Sequence, residues 1–406
     1  MAFSDLLLQS VGESEIQGRE SLPQLLNAIR QHLQMDVAFV SEFVRGRRVF
    51  RTVDPPGPDN PVQPGASDPL EESYCQRVVD GRLPELMCDA KQNPVAAALP
   101  VTHALPVGAH LSVPILLADG SYYGTFCCFS YSPDQSLDAR DLNMMRVFAD
   151  VAARLIDKER EVSLRQKTLE GKILAALESD SLSMVYQPIY DLEQAKVVGF
   201  EALSRFSPDP YRPPDAWFCD AKEVGLGSEL EARAIRLGLR AMEHLPDDIY
   251  MSVNISPEYI LDGVLEEIFQ DQTLHRVMLE ITEHAVVDHY DELARLIRPF
   301  RHRGLKIAVD DAGAGYASFR HILNLAPDRI KLDISLTRNI DTDSSRRALA
   351  AAFSKFAEET GTAIVAEGVE TESEIKTLRR LGVTKVQGYY IGRPMPLSQA
   401  AQICCH

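Results

Sequence analysis

The chain has 406 residues, a length that predicts two or three domains rather than one. Hydrophobic residues make up 45% and charged residues 25%, values of an ordinary packed protein that exclude a largely disordered chain. Asp and Glu number 59 against 42 Lys and Arg, a net charge of -17, which argues against wrapping a nucleic-acid polymer or an anionic membrane but leaves room for a small anion held through bound cations.

The start, MAFSDLLLQSVGESE, lacks the basic residues and long apolar stretch of a secretory signal, and no run of about 18 apolar residues follows anywhere; this predicts a cytoplasmic protein without membrane insertion. Leu22, Leu25, Leu26, Ile29 and Leu33 follow a helical rhythm. Residues 37–44 and 111–117 are β-rich, and Asp119-Gly120 before residues 122–129 is a hairpin signal, so an antiparallel sheet is expected. Residues 51–70 contain six prolines and read as a long surface loop that could cover a pocket. From Asp138 the pattern is helical, with Met144, Val147, Phe148, Val151, Leu155, Val162, Leu169, Ile173 and Leu177 as its apolar positions and no proline between 134 and 187. Charges interleave with these positions, as in a helix between domains that pairs with its own copy or simply lies in solvent.

After residue 180 short β-rich runs alternate with helical stretches: 184–190, 197–203, 250–253, 277–279, 306–309, 329–330, 363–366 and 384–386. Eight such runs in roughly 220 residues suit a β/α barrel, with an open doubly wound sheet as the rival. No G-x-G-x-x-G turn follows the first run, and Asp311-Ala-Gly-Ala-Gly does not have P-loop spacing. The seven cysteines include no C-x-x-C pair, which predicts reduced thiols rather than a disulfide framework or zinc knuckle.

Asn254, Glu280, Asp310, Lys331, Glu367 and Gln387 each stand directly after an apolar run, and Glu201 lies near the end of another. In a β/α barrel these strand ends share one face, where active sites of that fold lie. Any one acid could instead cap a helix. Together, so many acids at one mouth would repel unless cations sat between them, and oxygen-only ligation points to Mg2+ or Mn2+ rather than zinc. Adjacent Asp310 and Asp311 could serve two metals about 3.5–4 Å apart for in-line displacement at phosphorus.

Tyr186-Gln-Pro-Ile followed by Glu201-Ala-Leu203-Ser-Arg205 resembles the opening of the EAL family of cyclic-di-GMP phosphodiesterases. The resemblance continues through Val253-Asn254-Ile-Ser, Leu279-Glu280-Ile-Thr-Glu283, Asp310-Asp311, Lys331-Leu-Asp333, Ala366-Glu367-Gly-Val-Glu370-Thr and Gln387-Gly-Tyr-Tyr, in the family's order. It implies a TIM-like barrel that hydrolyses cyclic di-GMP to linear pGpG with two divalent cations, Mg2+ or Mn2+. It also implies metal ligation by Glu201, Asn254, Glu280, Asp310 and Asp311. Glu367 matches a second-site ligand or general base, Lys331 and Gln387 match groups that order the attacking water, and Glu283 matches an acid that steadies the loop after Asp311. Gln187, Leu203 and Arg205 fall at substrate-contact positions, Gln187 and Arg205 where guanine and phosphate are met.

One departure stands out: the family usually has Phe-Gly-Thr-Gly after the paired aspartates, and here Ala312-Gly-Ala-Gly follows. The missing aromatic bears on loop rigidity and turnover. His110-Leu-Ser-Val-Pro-Ile with Asp119-Gly-Ser-Tyr-Tyr-Gly124-Thr-Phe-Cys-Cys resembles a GAF sensory domain, whose ligand the motif does not specify. His103, His110, Cys127 and Cys128 read as structural. The implied organisation is an α+β GAF-like domain over residues 1–160, a linker helix over 161–178 and an EAL domain over 179–406, expected as a homodimer. The competing class is a receptor that holds cyclic di-GMP without cutting it. No G-G-D-E-F-like segment supports a cyclase.

Overall fold

The computed structural model describes residues 18–207, 211–270, 273–282, 289–313 and 317–404, and the chain divides into two compact units, residues 1–165 and 166–406. The first unit holds a six-stranded antiparallel sheet ordered β3-β2-β1-β6-β5-β4. Its strands are β1 (Val37–Val44), β2 (Arg47–Asp54), β3 (Ser67–Pro69), β4 (Leu86–Met87), β5 (His110–Leu116) and β6 (Tyr122–Phe129). Both faces are covered, so alternate residues of one strand feed two cores. Ala38 and Val40 pack with Leu26, Ile29, Leu111 and Phe126 under the helix Gly18–His32, while Val37 and Phe39 pack with Phe50, Cys75 and Cys127 on the other face.

The β5–β6 hairpin turns at Asp119-Gly120, where Gly120 has φ 81 and donates its N–H to the Leu117 carbonyl at 2.9 Å. The proline-rich segment departs from expectation at both ends. Residues 51–54 continue β2 against β1, and Ser67–Pro69 forms β3. β3 is an edge strand, so Pro69, which has no N–H to donate, costs the ladder nothing there. Cys127 and Cys128 are fully buried, and the six described cysteines are free thiols. His110 is buried against the Tyr74 ring.

One continuous helix, Ala139–Glu178, carries the apolar rhythm read from residue 138 onward. Its early residues Met145, Ala149, Ala152 and Ile156 belong to the core of the first unit, whereas Ile173 and Ala176 pack with Leu182, Phe206 and Trp217 in the second. Among the described residues no helix is long and apolar enough to cross a membrane.

The second unit is a closed eight-stranded barrel ordered β10-β11-β12-β13-β14-β7-β8-β9 with helices between its strands. The strands are β7 (Leu182–Asp191), β8 (Lys196–Phe206), β9 (Tyr250–Ile255), β10 (Val277–Ile281), β11 (Lys306–Ala312), β12 (Arg329–Leu332), β13 (Ala363–Ala366) and β14 (Lys385–Gln387). All eight predicted runs are present. One strand is reversed: β7 runs antiparallel to both β8 and β14, while the other neighbours are parallel. The reason is local, because residues 192–195 are the whole connection to β8 and a parallel crossover needs about a dozen residues. β7 is further tied to the chain's end, where Tyr186 and Met395 exchange backbone hydrogen bonds at 2.8 and 3.0 Å.

Gly124 marks the tightest approach in the first sheet: a β-carbon there would fall on the Ser41 carbonyl of β1. Gly124→Ala should therefore destabilise the amino-terminal unit by about 1–3 kcal/mol through overpacking. An unchanged urea midpoint for that unit would show that the strands can move apart at no cost.

Candidate active site

The barrel strands bring Glu201, Asn254, Glu280, Asp310, Lys331 and Gln387 to one mouth, and Glu367 follows directly after β13. Register explains the convergence, since Glu201 lies opposite Gln187 across β7–β8 and Glu280 lies level with Asn254 across β10–β9. Lys331 stands at the centre, with its side chain only 1% exposed. Its ammonium lies 2.7 Å from Glu280 Oε2, 2.7 Å from Glu367 Oε1, 2.9 Å from Asp310 Oδ1 and 3.5 Å from Glu201 Oε2.

Amides complete the frame. Asn254 Nδ2 donates to Glu201 Oε1 at 2.9 Å and Gln387 Nε2 donates to Glu201 Oε2 at 2.6 Å, so both oxygens of Glu201 are fixed. Gln387 Nε2 also reaches Gln187 Oε1 at 3.1 Å, and Gln187 Nε2 donates to the Gly392 carbonyl at 3.3 Å. The side-chain amide oxygen Oε1 of Gln387 is buried without a partner.

Asp310 and Asp311 are consecutive, and in a regular strand they would point to opposite faces. A bulge resolves this. Val309 pairs with Ile330 and Ala312 with Leu332, so β11 spends one extra residue, and Asp311 takes the left-handed conformation at φ 51. Carboxylate oxygens of Asp310, Asp311 and Glu367 consequently lie within 4.8 Å of one another, as do those of Glu201, Glu280 and Asp310. Ala312, which stands where an aromatic was expected, is fully buried and its carbonyl accepts the Asp333 N–H at 3.3 Å. Leu203 and Arg205 continue the Glu201 face of β8 as half-buried residues, and Arg205 Nη1 donates to the Ser204 carbonyl at 2.7 Å. Glu283, Ala314 and Gly315 lie outside the described residues.

The electrostatics reflect an excess of negative charge. Burial pulls Lys331 down, yet Asp310, Glu201, Glu280 and Glu367 drive it well above the ordinary lysine range. Burial also pushes Glu280 up to about 8, aided by Glu201 and Asp310 and opposed by Lys331. Burial raises Glu367 well above the carboxylate range despite Lys331, with Asp310 and Glu201 adding to the rise. Glu201 goes the other way: burial is outweighed by Lys331 and by the amides of Gln387 and Asn254, which hold it below the ordinary value. One ammonium is thus too little positive charge for five acids. Two oxygen-only groups sharing Asp310 fit hard divalent cations, which prefer carboxylate and amide oxygen.

Two supporting residues escaped the sequence reading. Ser252 points the same way as Asn254, two positions before it, and its hydroxyl donates to Glu280 Oε1. Its position was the available signal, since i and i+2 of a strand share a face. Glu231, on the helix Gly227–Arg240, accepts the Ser256 N–H at 2.8 Å and hydroxyl at 2.6 Å, holding the turn that follows Asn254. Nothing in the helix's own pattern singles it out.

A family model described as "EAL domain" matches residues 170–394 and one described as "GAF domain" matches residues 18–156. The oxygen sensor protein DosP of Escherichia coli (strain K12) is 28% identical over 255 residues, 59% of this chain and 31% of DosP. The curated relatives matched here are longer proteins, of which the chain spans 31% to 39%. Among solved structures, the PaMucR phosphodiesterase in complex with c-di-GMP is 27% identical at a TM-score of 0.51, covering 57% of this chain and 99% of that one. An EAL domain protein from Listeria monocytogenes EGD-e has the same fold at a TM-score of 0.52 and 24% identity, covering 57% of this chain and 96% of that one.

Burial pushes the Glu231 carboxyl up to about 7, against the two hydrogen bonds from Ser256. The folded value lies above the unfolded one, so this group's contribution to stability is full below about pH 4.3 and is lost as pH rises toward 7. Glu231→Gln should flatten the barrel's stability profile across that window in chemical denaturation. A profile as steep as the parent's would mean that Glu231 is ionised without penalty.

Proposed function

Since the chain belongs to the EAL domain family and carries a GAF domain ahead of its barrel, we propose that it is a metal-dependent phosphodiesterase that hydrolyses cyclic di-GMP to linear pGpG under control of the GAF domain. The observation that carries this reading is the pair of acid groups sharing Asp310 around a buried Lys331. The c-di-GMP held by the PaMucR phosphodiesterase supports the choice of substrate.

In this reading Glu201, Asn254, Glu280, Asp310 and Asp311 would hold two divalent cations, Mg2+ or Mn2+, and Glu367 would serve as a further ligand or as the general base. When bound, the cations polarise a phosphoryl oxygen and neutralise the mouth. The protein's own groups do the rest. Gln387, already fixed to Glu201 and Gln187, offers its unpartnered side-chain Oε1 to a proton of the attacking water. Lys331, ringed by the same acids, supplies the charge that orders that water. Glu367 takes a proton from the water as its oxygen bonds to phosphorus and the bond from phosphorus to the ribose oxygen breaks, and the departing oxygen takes its proton from solvent. Gln187, Leu203 and Arg205, on the strand face that continues outward from Glu201, contact guanine and phosphate. The protein works as a homodimer, a reading that rests on the charges interleaved with apolar positions along Ala139–Glu178.

The deciding experiment is turnover of cyclic di-GMP by the full chain with Mg2+ or Mn2+, following pGpG by chromatography. Substrate binding without any product would instead establish a receptor. Glu201→Ala and Asp310→Ala should each abolish hydrolysis, because no neighbouring oxygen can replace the lost ligand. Near-parental rates at saturating Mn2+ would refute the ligand assignment. For Glu367→Gln, turnover should fall roughly 10²- to 10⁴-fold while substrate affinity stays within a few fold. Equal losses in rate and affinity would make it a ground-state contact. Calcium should inhibit, since its longer and looser bonds spoil the spacing of a two-metal site; full activity in Ca2+ alone would contradict the mechanism.

A further inference from the structure

The barrel has a second charged end. Inward positions repeat every two residues along a strand, so the strands that present Asn254, Asp310, Lys331 and Gln387 at the mouth present Tyr250, Lys306, Arg329 and Lys385 where they begin. These four residues line a cavity of about 420 Å3 at the end opposite the acids, a volume in the range that holds small ligands. Lys196 and Arg276 add two more cations, and Asp247 and Asp248 are its only lining carboxylates among the described residues. Five cations against two acids is a local inversion in a chain whose net charge is -17.

Three of the five cations are already engaged. Lys196 pairs with Asp248 at 2.7 Å, Arg276 with Asp247 at 3.3 Å, and Lys385 with the buried Asp191 at 2.9 Å. Lys306 and Arg329 have no carboxylate partner among the described residues. The Arg329 guanidinium lies 3.9 Å from the centroid of the Tyr250 ring, and both its Nη1 and the Tyr250 hydroxyl are buried without a hydrogen-bond partner. The ring occupies this place because residue 199 is glycine: a β-carbon there would come within 2.5 Å of it. An exposed lysine without a carboxylate partner and an arginine with one buried, unsatisfied nitrogen therefore line one cavity, a donor set that suits phosphate oxygens, with Arg as a fork and Lys as a point charge.

We propose that this cavity binds a small anion carrying two or more phosphoryl groups, at a site separate from the acid-lined mouth. The assignment does not depend on the hydrolytic reading of that mouth. A purely structural role for the cations, balancing the acids through the barrel, would require no ligand at all, and titration distinguishes the two.

The full chain, freed of metals on a chelating resin so that the acid mouth repels anions, is titrated calorimetrically with diphosphate and, in a second arm, with ATP. Saturable one-to-one binding is expected, weakened about tenfold by Lys306→Ala and further by Lys306→Glu. Lys306 is exposed at the start of its strand, so neither change opens the core, and circular dichroism verifies the fold. Equal affinity for the two probes identifies the phosphate chain as the recognised group, and tighter ATP binding extends the site to the nucleoside. No saturation tighter than about 1 mM, or affinity unchanged in Lys306→Glu, overturns the proposal. So does markedly tighter binding in Glu201→Ala, since deleting an acid of the mouth would strengthen only an anion held at the mouth.

Discussion

The barrel is organised around one buried ammonium. Lys331, 1% exposed, could not remain charged in the interior alone, and each of its four carboxylate neighbours would be equally costly without it. Those neighbours come from β8, β10, β11 and the turn after β13, elements far apart in sequence. Such a cluster adds little net stability compared with an apolar core, but it tolerates very few arrangements. A strand slipped by one residue would move its acid to the opposite face and leave Lys331 short of a partner. The cluster therefore holds strand register, and register in turn sets the positions of the oxygen ligands.

The bulge in β11 adds what regular alternation cannot. It places two consecutive carboxylates on the same side, so one strand serves both acid groups, with Asp310 shared between them. The cost is a left-handed residue without the freedom of glycine, and aspartate is among the side chains that tolerate this best. The strand resumes at Ala312, whose small side chain is fully buried in the cluster that includes Leu332, Leu336 and Val369.

Much of this was legible in the chain. Apolar runs ending in Asn254, Glu280, Asp310 and Lys331 announced both the strands and the mouth, because a strand buried on both sides must be apolar until it reaches the rim. The reversal of β7 was harder to read, although the four residues between it and β8 already exclude a parallel crossover. β2 was missed because Arg47, Arg48 and Arg51 break its apolar alternation. Arg48 is nevertheless buried, paired with Asp68 and set over the Phe50 ring, a satisfaction that depends on tertiary partners. Ser252 and Glu231 were invisible for the same reason: a hydroxyl and a carboxylate become informative only when their acceptor or donor is known.

The reversed first strand also governs when the site can exist. Glu201 is fixed by Gln387, 186 positions later, and Gln187 leans on Gly392, 205 positions later, while Tyr186 is bridged to Met395. Contacts this distant are among the last that a growing or refolding chain can make, because loop closure must precede them. The first barrel strand leaves the ribosome well before β14, and it waits for every intervening barrel strand before this final neighbour arrives. Until then its hairpin with β8 has an open edge, and the carboxylate of Glu201 lacks one of the two amides that hold it. Assembly and chemical competence thus converge on a single late event, the sealing of β7 against β14.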